Sequence, residues 1–137
     1  MLADSARALA VRYGVQPGKK IVVATSHDGG YRAALDLAEA GCGIAMILDS
    51  RTEANGALPQ AARARGLPIE THATLLGSRG ALRVTHALAA RTWSDGRPGK
   101  PDEIACDLIA MTGGWTPSVH LFSQSRGKVA FASTTRR

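Results

Sequence analysis

The chain has 137 residues, which is enough for one domain with a substantial core and too few for a two-domain enzyme. With 45% hydrophobic and only 4% aromatic residues, the composition is typical of strands and helices packed in layers and excludes a disordered segment. The formal charge of +6 would suit a polyanion, but the basic residues are scattered and lack interleaved aromatic residues or a nucleic-acid motif. We therefore predict a solvated basic surface, or a face that meets another domain, and no nucleic-acid partner.

The first part of the chain alternates between helical and strand patterns. Apolar residues at helical spacing predict a helix over Asp4–Tyr13, capped by Asp4 or Ser5 and stopped by Gly14. Continuous apolar runs predict strands buried on both faces, and a helical pattern closed by glycine lies between them. These elements are the strands Ile21–Ala24 and Ile44–Leu48 and the helix Asp28–Ala40. Strand, helix and strand together predict a βαβ unit with a right-handed crossover.

The second part of the chain begins with a similar pattern and then changes. A short helix and a third strand are predicted at Gln60–Arg65 and Leu67–Thr71. Short extended pieces separated by glycine and proline turns then indicate an antiparallel meander, followed by a last apolar strand. These pieces are Thr74–Ser78, Arg83–Ala90, Glu103–Cys106 and Leu108–Met111. The predicted fold is a single α/β module over residues 1–137, with a parallel Rossmann-like sheet flanked by helices and an antiparallel β-meander.

The loop after the first strand occupies the position of a dinucleotide-binding turn. That turn reads GxGxxG in nucleotide-binding folds, because glycines permit the tight bend and let the backbone approach a pyrophosphate at the helix N-terminus. The equivalent positions here are Thr25, His27 and Gly30, so two of the three glycines are absent. A side chain at His27 would fill the space that a pyrophosphate requires, which predicts a ligand placed differently or a degenerate site.

An acidic residue, Asp49, ends the second predicted strand about 20 residues beyond this loop. In nucleotide-binding folds a carboxylate at this spacing holds the adenosine ribose hydroxyls. Arg51 follows two residues later and could reach a 2′-phosphate, although an aspartate beside an arginine at a strand end is also a common surface pair. Both interpretations remain open at this point.

Other residues with chemical potential lack the partners that a site needs. Neither cysteine has metal-ligand spacing, so Cys42 and Cys106 are predicted to be reduced, buried thiols, and no metal site is predicted. No histidine has a paired carboxylate or second ligand, and no serine lies in a GxSxG turn. These residues are His72, His86, His120, Ser123 and Ser125. Trp115 is predicted to pack at its loop and support a domain contact, with base stacking as the alternative.

The chain also carries no signal for membrane insertion or export. No apolar run approaches the roughly 18 residues that span a bilayer. The first ten residues contain Asp4 and Arg7, where a signal peptide would be apolar. We therefore expect a cytoplasmic protein with no membrane partner.

Three stretches of the sequence, two of them overlapping, resemble known flavoproteins. In Cys106–Pro117 an acid precedes an apolar strand that ends in glycine and then proline, similar to the closing motif of two-dinucleotide-domain flavoproteins of the disulfide-reductase type. More specifically, GGWTPSVHLFSQSRGK (Gly113–Lys128) and RYGVQPGKKIVVATSHDGGYRAALDLAEAG (Arg12–Gly41) resemble the alpha subunit of heterotetrameric sarcosine oxidase. The resemblance runs from Ala6 to Lys128, while Ala130–Arg137 departs from the family's continuation.

This resemblance implies a fragment of a longer subunit, namely its middle module, which is like the NAD domain of disulfide-reductase-type flavoproteins. A complete subunit would add an earlier glycine-rich βαβ unit for the principal dinucleotide and a C-terminal folate-binding domain. NAD or FAD would be cofactors of the parent, and the other domains and sarcosine oxidase subunits would be partners. No catalytic role carries over to this chain. The positions that carry over are nucleotide contacts, actual or vestigial, at Thr25, His27, Gly30 and Asp49, and a loop facing the neighbouring domain at Gly113 and Gly114.

Two alternatives remain. The chain could be a free-standing nucleotide sensor, in which Asp49 would be essential for binding. It could also belong to a related dehydrogenase subunit that acts on proline, opines or glycine, since those subunits share the architecture.

Overall fold

The structure is a computed structural model in which residues 1–93, 95–114 and 119–128 are described. The interpretations of Trp115 and Ala130–Arg137 lie outside these residues. Along the chain, the helices and strands are α1 (Ala3–Tyr13), β1 (Lys20–Thr25), α2 (Gly29–Glu39), β2 (Gly43–Asp49), α3 (Ala57–Ala64), β3 (Ile69–Thr71), β4 (Ala73–Arg79), β5 (His86–Arg91), β6 (Asp102–Ala105), β7 (Leu108–Thr112) and α4 (His120–Gln124).

The strands form two sheets that differ in direction. The larger sheet has the order β3-β2-β1-β7, and each of its neighbouring pairs is parallel. The smaller sheet has the order β4-β5-β6 and is antiparallel. The predicted βαβ unit and the predicted meander are both confirmed.

The central strand β1 is buried on both of its faces, as its apolar run predicts. Ile21 and Val23 pack on one face with buried residues of α1, α2 and α3. Val22 points to the other face and packs with residues of the meander, among them Ala87 and Ala89. Side chains alternate along a strand, so one run of β-branched residues supplies both cores.

Two helices begin where the sequence patterns did not predict. The N-cap of α1 is Leu2, which makes no capping side-chain bond, so the predicted cap at Asp4 or Ser5 is wrong. Asp4 instead lies in the first turn, where its negative charge interacts favourably with the helix dipole and stabilises the helix. The helix α3 starts at Ala57 rather than Gln60, because Pro59 falls in the first turn, where a missing N–H costs no helical hydrogen bond.

The helices are too short or too polar to cross a bilayer. Among the described residues, none combines the necessary length with sufficient hydropathy. Both thiols, Cys42 and Cys106, are free and buried, and burial raises the pKa of each.

Candidate functional site

The candidate site lies where three parallel strands end together. In the register of the large sheet, Thr25 at the end of β1 is paired with Asp49 of β2 on one side and Thr112 of β7 on the other. The carboxyl ends of parallel strands, near a change in strand order, are where open α/β sheets bind ligands. The predicted site residues Thr25 and Asp49 are therefore brought together at this edge.

Gly30 lets the first turn of α2 approach the end of β1 closely. A Cβ atom at Gly30 would overlap the Cβ and Oγ1 atoms of Thr25, so no larger residue fits without a shift of the helix or the strand. This is the packing role that the third glycine plays in a dinucleotide-binding turn. Thr25 is itself buried, and its hydroxyl donates to the carbonyl of His27 at 2.6 Å and accepts the His27 amide at 3.1 Å.

The imidazole of His27 fits between the start of α2 and the end of β7. Its Nδ1 accepts the Gly29 amide at 2.9 Å, and its Nε2 lies 2.6 Å from Thr112 Oγ1. Because Nδ1 accepts a hydrogen bond, the N–H group of the neutral ring is at Nε2. This N–H group donates a hydrogen bond to the hydroxyl of Thr112. The ring is tight against the turn, since a Cβ at Gly29 would lie 2.8 Å from Nδ1.

The amides at the start of α2 are already hydrogen-bonded within the chain. The Gly30 amide donates to the carbonyl of His27 at 3.3 Å, and the Tyr31 amide donates to the carbonyl of Asp28 at 3.1 Å. Together with the Gly29 bond to the imidazole, this satisfies three amides that would face phosphate oxygens in a dinucleotide site. A phosphate would have to displace these acceptors before it could bind.

Asp49 is fully buried, with none of its side chain exposed. Its Oδ2 accepts the Tyr31 hydroxyl at 2.8 Å, and its Oδ1 accepts the Arg51 amide at 3.0 Å. Burial and the hydrogen bond to Asp49 raise the pKa of the Tyr31 hydroxyl well above its ordinary value. The carboxylate that the sequence places for a ribose is thus surrounded by donors from its own chain.

Arg51 completes this arrangement and links it to α2. Its NH2 group donates to Asp49 Oδ2 at 2.8 Å and to Asp28 Oδ1 at 2.8 Å. Hydrogen bonding to Asp49 and Asp28 outweighs partial burial and raises the pKa of the guanidinium. Arg51 is therefore paired with a buried carboxylate, and the surface-pair interpretation understates how far the pair is enclosed.

The loop that follows β7 lies beside the same turn. Gly114 adopts a positive φ of 101°, and a Cβ there would lie 3.8 Å from Ser26 Oγ and 4.0 Å from His27 Cδ2. Gly113 is exposed and would meet nothing within 4 Å. Gly113 nevertheless lines a cavity at this edge together with Thr25 and Thr112, so both loop positions lie beside the candidate site. Their contact with a neighbouring domain stays a prediction.

Two cavities adjoin this edge, and Thr112 lines both. The larger, of about 560 Å³, lies between α1 and α2 and includes His27, Arg12 and Arg32 in its lining. The smaller, of about 240 Å³, lies on the meander side and includes Ser26 and Ser50. Within the described residues, no group of three or more histidine, cysteine or acidic side chains could hold a metal ion.

Sequence reasoning missed three partners of the predicted residues. Tyr31, Asp28 and Thr112 each contact a predicted site residue through a hydroxyl or carboxylate. Helical spacing identified Tyr31 only as an apolar position of α2. The signal that could have indicated a partner is that a buried tyrosine hydroxyl usually forms a hydrogen bond. The partnership of Thr112 depends on the pairing of β7 with β1, which local patterns do not specify.

As built, the edge does not fit a dinucleotide. The close approach at Gly30 is retained, but the imidazole of His27 already accepts the Gly29 amide and Arg51 already donates to the carboxylate of Asp49. The described side chains therefore make a closed edge with the geometry of a nucleotide fold.

Solved structures share this fold at low sequence identity. Thioredoxin reductase of T. acidophilum superposes with a TM-score of 0.68 at 16% identity, covering 96% of this chain and 40% of that one. An NAD-dependent persulfide reductase of A. fulgidus gives a TM-score of 0.62 at 15% identity, covering 93% of this chain and 23% of that one. These similarities confirm the predicted α/β fold of disulfide-reductase-type flavoproteins, and no sequence-family profile matches the chain.

Curated relatives match the chain at higher sequence identity. Sarcosine oxidase subunit alpha of Corynebacterium sp. (strain P-1) is 33% identical over 133 residues, covering 96% of this chain and 14% of the relative. The subunits of Corynebacterium sp. (strain U-96) and Rhizobium meliloti (strain 1021) are 34% and 33% identical and cover 94% and 97% of this chain. The chain spans only 12–14% of the length of these relatives. By sequence the chain is therefore similar to one segment of these sarcosine oxidase alpha subunits, and the resemblance is confirmed.

Proposed function

We propose that this chain is a nucleotide-fold module of a sarcosine oxidase-type alpha subunit and that it serves as a scaffold without an active site of its own. The observation that carries this proposal is the closed edge of the sheet. The amides at the start of α2 and the carboxylate of Asp49 are all satisfied by groups of the same chain. A module in this state supports its neighbours through its fold and leaves cofactor chemistry to them.

The activity of the whole protein is part of the same proposal. The parent would oxidatively demethylate sarcosine, and its NAD or FAD would be bound by other parts of the complex. The module's partners would be the remaining domains of the alpha subunit and the other subunits, in the cytoplasm. The sequence relatives support this view because they match the module over nearly its whole length while being several times longer.

Turnover by the isolated chain is the direct test. The purified 137-residue protein is incubated with sarcosine, folate and oxygen, and peroxide is measured. We expect no peroxide, whereas a complete sarcosine oxidase assayed in parallel produces it. Sustained turnover by the isolated chain would contradict the proposal. Parallel assays of the assembled complex with proline, opines and glycine separate sarcosine oxidase from the related dehydrogenases.

A nucleotide sensor is the second candidate, and one feature favours it. Gly30 still packs against Thr25, and Asp49 still ends the neighbouring strand, so the outline of a nucleotide site is present. Calorimetric titration with NAD, NADP, ATP and FAD separates the two functions. Absence of binding supports the scaffold, whereas micromolar binding that is lost in Asp49→Asn supports the sensor. Asparagine is chosen because it keeps the side-chain volume of this buried position.

A further inference from the structure

We infer that His27 and Arg51 act as internal substitutes for a diphosphate and a ribose, so that the sheet edge is a nucleotide groove closed by its own side chains. The inference rests on the proposed function in treating the chain as a nucleotide-fold module. It adds that the closure is made by two named side chains and is reversible by their removal.

The first substitute is the imidazole of His27. A phosphate oxygen at a helix N-terminus accepts hydrogen bonds from backbone amides. Nδ1 of His27 does the same, since it accepts the Gly29 amide at 2.9 Å. The ring therefore has both the place and the hydrogen-bonding direction of the group that it replaces.

The second substitute is the guanidinium of Arg51. Ribose hydroxyls donate hydrogen bonds to the acid at the end of the second strand. Arg51 donates to both oxygens of that acid, Asp49, with Nε to Oδ1 at 3.1 Å and NH2 to Oδ2 at 2.8 Å. A second hydrogen bond, from NH2 of Arg51 to Asp28, fixes the guanidinium between the end of β2 and the start of α2.

Open space is already present beside the first of these groups. Thr112 lines cavities of about 560 and 240 Å³, and His27, to which it is bonded, lines the larger one. Gly30 keeps the helix close to the strand, as a bound diphosphate would require. His27→Gly would also restore the middle glycine of the fingerprint.

Separate ligands test each substitute in the full chain. The variants His27→Gly and Arg51→Ala are titrated with inorganic pyrophosphate, adenosine and ADP-ribose at about 0.15 M salt, where exposed charges are screened. We expect His27→Gly to bind pyrophosphate at least about tenfold more tightly than the wild type, without a gain for adenosine. Arg51→Ala should bind adenosine more tightly than the wild type, without a gain for pyrophosphate. The double variant should bind ADP-ribose most tightly.

Controls keep the outcome interpretable. His86→Gly and Arg65→Ala remove a half-buried imidazole and an exposed guanidinium elsewhere, and neither variant should gain affinity for any of the three ligands. The wild type and the variants all contain the exposed residues Arg12 and Arg32. Ligand binding by these two groups therefore contributes equally to every affinity that is compared. Folding is checked by circular dichroism, and if Arg51→Ala does not fold, His27→Gly with pyrophosphate and ADP-ribose still decides.

Failure of this inference is distinct from failure of the proposed function. A folded His27→Gly that binds pyrophosphate no better than a silent wild type overturns the inference and leaves the scaffold proposal standing. A wild type that already binds ADP-ribose as tightly as the variants overturns both.

Discussion

Asp49 is a buried carboxylate whose charge is balanced inside the chain. Its oxygens accept bonds from Tyr31 and Arg51, and none of its side chain is exposed. Removing one partner of a buried charged group costs more than the average hydrogen bond, because the group keeps its desolvation penalty. The partners of Asp49 should therefore affect stability strongly.

Tyr31→Phe removes one of these partners while keeping the ring. Tyr31 is fully buried and its hydroxyl donates to Asp49 at 2.8 Å, so we expect the free energy of unfolding to fall by about 1.5–3 kcal/mol. Urea denaturation at neutral pH measures the change. Tyr13→Phe is the matched control, since Tyr13 is 70% exposed and should stay within about 0.5 kcal/mol.

The same variant should change the response to alkali. The pKa of Tyr31 is raised by burial above the ordinary 10.0, so its contribution is present below pH 10 and is lost as pH rises through the raised value. We expect wild-type stability to fall more steeply above pH 10 than that of Tyr31→Phe. Equal slopes for the two proteins would show that Tyr31 ionises as freely in the folded state as in the unfolded state.

Asp107 connects the starts of β1 and β7. Although partial desolvation alone would raise its pKa, the amides of Lys19 and Lys20 each donate to it at 2.8 Å and lower the pKa overall. Its contribution is therefore present above pH 3.8 and is lost as pH falls below that value. Because the carboxylate is exposed, we expect Asp107→Asn to cost about 1 kcal/mol at neutral pH, and less in acid.

Denaturation at neutral pH and below pH 3.8 measures this difference. Asp102→Asn serves as the control because Asp102 is exposed at the start of β6. A cost for Asp107→Asn that does not shrink in acid would contradict the assigned role.

Sequence spacing named four residues that lie near this edge of the sheet, but it did not name their hydrogen-bond partners. Thr25, His27, Gly30 and Asp49 were predicted from the offsets of a dinucleotide fingerprint, which are local along the chain. Tyr31 could be recognised only as one residue on the apolar face of its helix. Its bond to Asp49 depends on how α2 lies over β2, which is set by tertiary packing.

At the scale of elements, the contact between β1 and α2 decides the shape of the site. Gly30 packs directly against Thr25, and this close approach positions the start of α2 over the strand. The predicted strands match the observed ones within two residues at each end, except that the strand predicted from Arg83 begins at His86, because runs buried on both faces have a strong signature. Helix starts were predicted less well, since caps depend on backbone geometry that composition reflects only weakly.

Gly30→Ala tests this contact. The added methyl would overlap Thr25, so either the helix or the strand must shift, and we expect a loss of about 1–3 kcal/mol in unfolding free energy. Gly113→Ala is the control, because a methyl there meets nothing within 4 Å. If both variants unfold at the same urea concentration, the close approach does not constrain the helix.

At the scale of the whole molecule, β1 is the most enclosed of the strands that the structure describes. It lies between β2 and β7, and Ile21, Val22 and Val23 are fully buried. In contrast, β6 is an edge strand of the smaller sheet and is mostly exposed. The sequence predicted both sheets, while the order of strands within them came from long-range pairing that local patterns leave undetermined.

Hydrogen exchange should reflect this difference. Amides open locally more often where few apolar contacts cover them, so we expect peptides from β1 to exchange more slowly than peptides from β6. Mass spectrometry of the native chain after timed deuteration measures both. Exchange of β1 at the rate of β6 would mean that the large sheet is not the stable centre of the protein.

The pairing of β1 with β7 has a consequence for how the chain reaches its native state. Ile21 is joined to Leu108, and His27 to Thr112, 85 residues later, so most of the polypeptide must be made before the central strand gains its second neighbour. Closing so long a loop is slow, and until then the apolar edge of β1 is open to pairing with other chains. Dilute conditions and intact downstream sequence should therefore favour recovery of this protein from denaturant over aggregation.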